Sequence, residues 1–124
     1  MRFRSGLEAR TAKALKASGV KFTYEKLKIP WSDTRPKTYT PDFVLDNGII
    51  VETKGRFISS DRMKHLMVKA QHPELDIRFV FTNPNAAISK GSKTTYAGWC
   101  QKYGFKYAKE TIPTEWIKEK KDDH

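Results

Sequence analysis

At 124 residues the chain fits one domain with a modest core, and 38% hydrophobic with 12% aromatic residues makes it globular rather than disordered. No apolar run approaches the ~20 residues needed to span a bilayer, and Met1-Arg2-Phe3-Arg4 leads into a polar helix rather than a signal peptide. Twenty-four Lys and Arg against 14 Asp and Glu give a formal net charge of +10. That excess points to a polyanionic partner, and its spread along the chain favours nucleic acid over a membrane surface. The lone Cys100 excludes an internal disulfide, suits a reducing cytoplasm, and reads as a small buried hydrophobe.

In chain order, Ser5-Gly6-Leu7-Glu8 has capping-box spacing and predicts a helix to about Ser18, stopped by Gly19, with Leu7, Thr11, Ala14 and Leu15 facing the core. Val20, Phe22 and Tyr24 alternate as a strand, and the apolar phase shifts before Leu27 and Ile29, predicting a bulge or a change of sheet environment. Residues 30–41, with Pro30, Pro36 and Pro41, read as an extended, prolyl-stiffened connector. A strand over Asp42–Leu45, a turn at Asp46-Asn47-Gly48 and a strand over Ile49–Lys54 follow. Ser59 or Ser60 caps a helix whose apolar positions are Met63, Leu66, Met67 and Ala70, ended by Pro73. Leu75–Thr82 is a buried strand, 82–95 a polar loop, and Thr95–Tyr103 a short helix stopped by Gly104. Residues 105–107 add an edge strand, Pro113 opens a last helical turn around Trp116 and Ile117, and 118–124 form a frayed tail. One domain over 1–124 results, of α/β class with a mixed sheet and flanking helices.

The chemistry gathers on the 42–54 hairpin. If Asn47-Gly48 made a two-residue turn, Asp42 and Glu52 would lie on opposite faces of the sheet. If Asp46-Asn47-Gly48 is a three-residue loop with Gly48 left-handed, Leu45 pairs with Ile49 and Asp42 faces Glu52, with Cβ atoms ~5 Å apart. The second register is the expected one. Lys54 shares the Glu52 face by strand alternation. Two crowded carboxylates repel and call for a hard divalent cation, Mg²⁺ or Mn²⁺, beside which a lysine positions water or offsets developing charge. Asp42 and Glu52 lie in apolar stretches, where burial without function is costly. Glu8 stays open between closing a capping box and joining the site. His65 is expected on the polar face of its helix, solvated or facing phosphate. No zinc-spaced Cys/His cluster and no glycine-rich nucleotide loop occurs.

Pro41-Asp42 followed by Glu52-Thr53-Lys54 matches the PD-(D/E)xK nuclease pattern, itself short. Around it, Arg4-Ser5-Gly6-Leu7-Glu8, Thr38-Tyr39-Thr40-Pro41-Asp42-Phe43, Asn47-Gly48-Ile49 and Val51-Glu52-Thr53-Lys54-Gly55 resemble the endonuclease I resolvases of short-tailed phages. So do Asp61-Arg62, Lys64-His65-Leu66, Gln71 to Arg78, Lys90-Gly91-Ser92, Ile112-Pro113 and Glu115 to Glu119. The resemblance implies a restriction-endonuclease-like core, and a Holliday-junction resolvase that nicks two strands across a four-way DNA junction and leaves 5′-phosphates. It implies two Mg²⁺ or Mn²⁺ ions held by Glu8, Asp42, Glu52 and the backbone carbonyl of Thr53, with Lys54 as the catalytic lysine. It also implies an intertwined homodimer bridged by residues 30–41, in which Glu8 of one chain completes the other chain's site. Action in the host cytoplasm follows if the chain is phage-encoded. The basic terminal extensions expected of the family are missing, and the bridge is poorly matched. DNA contacts are expected from Arg2, Arg4, Ser5, Arg10, Arg56, Arg62, Lys64, His65, Lys69, Lys90 and Lys93, mainly to phosphates. The competing expectations are a mismatch- or sequence-specific nuclease of the same superfamily and a non-catalytic junction-binding protein.

Overall fold

The computed structural model describes residues 3–120. Its elements are α1 (Gly6–Ala17), β1 (Phe22–Tyr24), β2 (Ile29–Ser32), β3 (Pro36–Tyr39), β4 (Phe43–Leu45), β5 (Ile50–Lys54), α2 (Ser59–Gln71), β6 (Ile77–Phe81), α3 (Tyr96–Tyr103), β7 (Lys106–Lys109) and α4 (Thr114–Lys118). Five strands form one sheet in the order β1-β4-β5-β6-β7, antiparallel on the β1-β4-β5 side and parallel from β5 to β7. This is the α/β class with a central mixed sheet read from the sequence.

The two parallel pairings need crossovers, and α2 and α3 provide them. They cover one face of the sheet over a core of Ile50, Phe57, Val68, Phe79, Phe81, Trp99 and Phe105. The opposite face carries Leu7, Leu15, Phe43, Leu45, Val51, Val80 and Trp116, covered by α1 and α4. With helices on both sides, all five residues of β6 are buried. Phe57 packs among Phe79, Phe81, Tyr96 and Trp99, with ring centroids 4.9–5.8 Å away. Burying such a ring stabilises the fold by about 1.5–3 kcal/mol. Phe57 stands three residues after Lys54, so the same packing anchors the end of β5.

Several local expectations change. Residues 30–41 do not run as one extended connector: β2 and β3 fold back as an antiparallel ribbon, with Pro30 opposite Thr38 and Ser32 opposite Pro36. A two-stranded ribbon has two free edges, so prolines cost it little. Its turn is held by Asp33, whose carboxylate accepts from the Arg35 N–H at 2.9 Å and pairs with Lys37 at 2.7 Å. In α1 the buried residues are Leu7, Glu8, Thr11, Ala12 and Leu15, and Ala14 is exposed. In α2 the buried residues are His65 and Val68; Met63 and Ala70 are exposed and Leu66 and Met67 half-buried. The apolar spacing misjudged this helix because a neutral histidine occupies its core face. Neither serine caps α2: the N-cap is Ile58, without a side-chain hydrogen bond. None of the described helices is long and apolar enough to cross a membrane.

Candidate active site

The β4–β5 turn decides the site. Gly48 adopts φ +90°, a left-handed conformation that favours glycine. Its N–H donates to the Leu45 carbonyl at 2.9 Å, and the Leu45 N–H donates to the Ile49 carbonyl at 2.8 Å. This is the three-residue register, continued by Val44 opposite Ile50 and Phe43 opposite Val51. Asp42 therefore meets Glu52: the Asp42 N–H donates to Glu52 Oε1 at 2.8 Å. Asp42 Oδ2 in turn accepts from the Thr53 N–H at 2.9 Å and from its hydroxyl at 3.0 Å.

The other acids arrive from the N-terminal part of the chain. Ser5 caps α1, its hydroxyl accepting from the Glu8 N–H at 3.0 Å. The Glu8 side chain reaches back toward the Arg4 N–H at 3.4 Å and also accepts from the Tyr24 hydroxyl. One side chain thus lies beside the helix start, one residue short of the N-cap N–H that a capping box would close, while its carboxylate turns toward Asp42. Carboxylate oxygens of Glu8, Glu25 and Asp42 lie within 4.8 Å of one another. In this single chain Glu8 approaches its own Asp42. On the other side, Lys54 Nζ sits 4.0 Å from Glu52 and 3.6 Å from Asp61 Oδ1.

These acids are buried and under-neutralised. Burial, reinforced by the charge of Asp42, pushes the Glu52 carboxyl up to about 8, against the partial relief given by Lys54. Burial also raises Asp42, with Glu8 adding to the shift. Burial and the hydrogen bond to Glu8 take the Tyr24 phenol up to about 12, so it stays a donor. The donor chemistry fits a hard divalent ion. All the acids supply oxygen, Glu8 and Asp42 converge, and among the described residues the hydrogen-bond partner of Asp42 Oδ1 is Arg4 at 3.4 Å. A cation there would hold the carboxylates in the charged form that burial opposes.

Arg4, Glu25, Lys28, Thr38, Thr40, Glu52, Lys54, Asp61 and Lys64 line an open groove of ≈ 530 Å³ over the acids. Of the expected DNA contacts, Arg4 and Lys64 therefore border the acids directly. Ser5, Arg10, Arg56, Lys90 and Lys93 are exposed, whereas Arg2 lies outside the described residues. Arg62 is turned inward, donating to the carbonyls of Phe57 and Ile88. Lys69 donates to the carbonyls of Tyr103 and Gly104 at 2.8 and 3.1 Å, closing the end of α3. His65 is the plain correction. It is fully buried, edge-on to Tyr39 and Phe79, and desolvation holds its pKa well below the ordinary imidazole value. It is a neutral core residue and does not face phosphate. Sequence reasoning missed Tyr24, Glu25, Lys28 and Asp61. Asp61, in the first turn of α2 just beyond β5, carried a findable signal; Glu25 and Lys28 had none beyond their charge.

Comparison with known proteins shows the family. The phage endonuclease I family model matches residues 1–124. Endonuclease I of Escherichia phage T7 is 52% identical over 122 residues, covering 98% of this chain and 82% of that protein. Endodeoxyribonuclease 1 of Enterobacteria phage T3 is 48% identical over 122 residues, covering 98% and 80%. The chain belongs to the phage endonuclease I family.

Proposed function

We propose that this phage endonuclease I family member is a divalent-metal-dependent DNA endonuclease that resolves four-way junctions by paired nicks. The observation that carries the reading is the chain of contacts from Glu8 through Asp42 and Glu52 to Lys54 beneath an open groove walled by Arg4, Lys28 and Lys64, with the buried acids short of positive charge. Asp42 and Glu52 would hold the ion, aided by Glu8 and the Thr53 carbonyl, with Mg²⁺ or Mn²⁺ the fitting ions and two per site the family expectation. When bound, such an ion acidifies water and offsets charge on a phosphoryl oxygen.

The chain's own groups do the rest. Thr53 fixes one oxygen of Asp42 by two hydrogen bonds and leaves the other to the exposed Arg4. Tyr24 orients Glu8. Asp61 draws Lys54 to the groove wall, where its ammonium holds the attacking water or stabilises the developing charge. Water adds to phosphorus, the P–O3′ bond breaks, and the products are a 5′-phosphate and a 3′-hydroxyl. Lys28 and Lys64, on the groove walls, meet the phosphate backbone.

Two symmetric cuts suit a two-fold dimer. The β2–β3 turn at 33–35 is the natural hinge: opened, it would let α1, β1 and β2 pack on a partner's sheet as they pack here on their own. Glu8 would then complete the partner's site, and mixing Glu8→Ala with Asp42→Ala subunits should restore cutting. No rescue in properly mixed dimers would argue against the exchange. Action on branched DNA places the protein in the host cytoplasm.

The deciding experiment is cleavage of an immobile four-way junction against a linear duplex of matched sequence, with Mg²⁺ and with EDTA. Metal-dependent paired nicks confined to the junction are expected. Cutting of the duplex at a fixed sequence would replace this reading with a sequence-specific nuclease. Junction binding without cleavage in any metal would leave a binding protein.

A further inference from the structure

Arg4 stands over the side of the pocket where Glu8 and Asp42 converge. Its Nη2 lies 2.6 Å from Glu25 Oε1 and 3.4 Å from Asp42 Oδ1. The second contact falls on the Asp42 oxygen that Thr53 leaves open. Glu25 is held in an unusual way. It is a non-glycine residue at φ +51°, a strained conformation that persists only where the surroundings hold it. What fixes it is Asp42 itself, whose carbonyl accepts the Glu25 N–H at 2.9 Å. The residue that grips Arg4 is therefore tied to the backbone of the residue Arg4 covers.

We propose that Glu25 is a positioning residue, which takes the larger share of the Arg4 guanidinium and so keeps it only loosely on the open oxygen of Asp42, from which an arriving divalent ion displaces it toward the DNA backbone. This deepens the nuclease reading and rests on Asp42 being an ion ligand. Arg4 is 68% exposed, so its pairings are of the weak surface kind and yield readily. A divalent ion on Asp42 repels the guanidinium, and its planar fork then matches a phosphate at the groove rim. Arg4 competes with the ion for Asp42 but joins the ion in holding DNA. Ion and DNA consequently favour each other's binding by the same factor.

The test is calorimetric titration of Ca²⁺, without DNA, into the full chain and its variants, each first shown by melting to be folded. Arg4→Gln should bind Ca²⁺ roughly fivefold more tightly, the scale of an exposed ion pair removed from competition. Arg4→Lys, which keeps the charge, should stay near wild type. Glu25→Gln should bind more weakly, because Arg4 then settles on Asp42 alone, and most of that loss should vanish when Arg4→Gln is also present. Lys28→Gln removes a groove cation that does not touch Asp42, and it should tighten binding less than Arg4→Gln does. The proposal is overturned if Lys28→Gln matches Arg4→Gln, which would mean a general charge effect. It is equally overturned if Glu25→Gln weakens binding alike in both backgrounds, which would make Glu25 an ordinary carboxylate of the site. If no form binds Ca²⁺, the metal-centre reading itself fails, a result distinct from the other two.

Discussion

Two charge clusters are built on the central strands, and they are opposites. Near the start of β6, the buried Arg78 guanidinium donates two hydrogen bonds to Asp76 and two to Glu119, at 2.7–2.9 Å. Every charge there has an opposite beside it; desolvation of Arg78 is outweighed by its two acids, which raise its pKa, while Arg78 in turn lowers Glu119. Toward the end of β5, Asp42 and Glu52 are buried with only partial compensation, and burial raises both. The first arrangement closes the fold, joining α4 and the sheet through the contact of Arg78 with Trp116 and Glu119. The second holds a deficit that an ion can fill. Buried charge stabilises when its partner is present and otherwise waits for one.

The largest expected effect breaks the second cluster. Glu52→Gln should lower cutting by at least about 10³-fold while junction binding persists, since its task is transition-state chemistry and ion holding rather than grip. Equal loss of binding and cutting would make Glu52 structural. Breaking the first cluster should do the reverse. Arg78→Leu should destabilise the chain by about 1 kcal/mol in urea denaturation, because the paired hydrogen bonds to Asp76 and Glu119 are lost while the two half-exposed acids regain water, with Ca²⁺ affinity little changed. A matching loss of Ca²⁺ affinity would show that the two clusters are not independent.

Acidity sharpens the contrast. Glu52 titrates near 8 in the folded, ion-free chain against an ordinary 4.5, so folding favours its neutral form. That contribution is complete below about pH 4.5 and is lost as pH rises toward 8, by at most about 1.4 kcal/mol per pH unit, with Asp42 adding the same sign. Melting temperature in EDTA should therefore fall between about pH 5 and pH 8, and Glu52→Gln should flatten the slope. Added Ca²⁺ should restore stability most at the upper end. A flat wild-type profile would mean that the acids are already neutralised. The smallest effect concerns Lys69, which caps α3 and lies over the Phe105 ring. Lys69→Gln should cost about 1 kcal/mol of stability and leave DNA affinity and its salt dependence nearly unchanged, unlike Lys64→Gln.

What could be read from the sequence was what the chain states locally. The Ser5 cap, the Asp46-Asn47-Gly48 turn and strand alternation through Glu52 and Lys54 sufficed to bring two acids and a lysine together. The misread positions depend on partners distant in sequence. His65 looks like a surface residue until Tyr39 and Phe79 enclose it, and Lys69 looks free until α3 ends beside it. Glu25 has no meaning before β1 pairs with β4 and Asp42 takes its N–H. The ribbon of β2 and β3 was hidden because its prolines argue against a strand inside a sheet but not against one in an isolated pair.

One consequence follows from Gly48. Surface loops ordinarily tolerate insertions and deletions, and a reader of related genes would treat a change of length there as neutral. Here the length of a solvent-exposed turn is a digital setting for chemistry several residues away. Adding or removing one residue between Asp46 and Gly48 would leave two pairable strands and a plausible hairpin, yet turn Glu52 and Lys54 to the face opposite Asp42. Among functional relatives the residue count of this turn should behave like an active-site residue, with a glycine kept at the left-handed position and Asp46, which makes no such demand, the place that drifts.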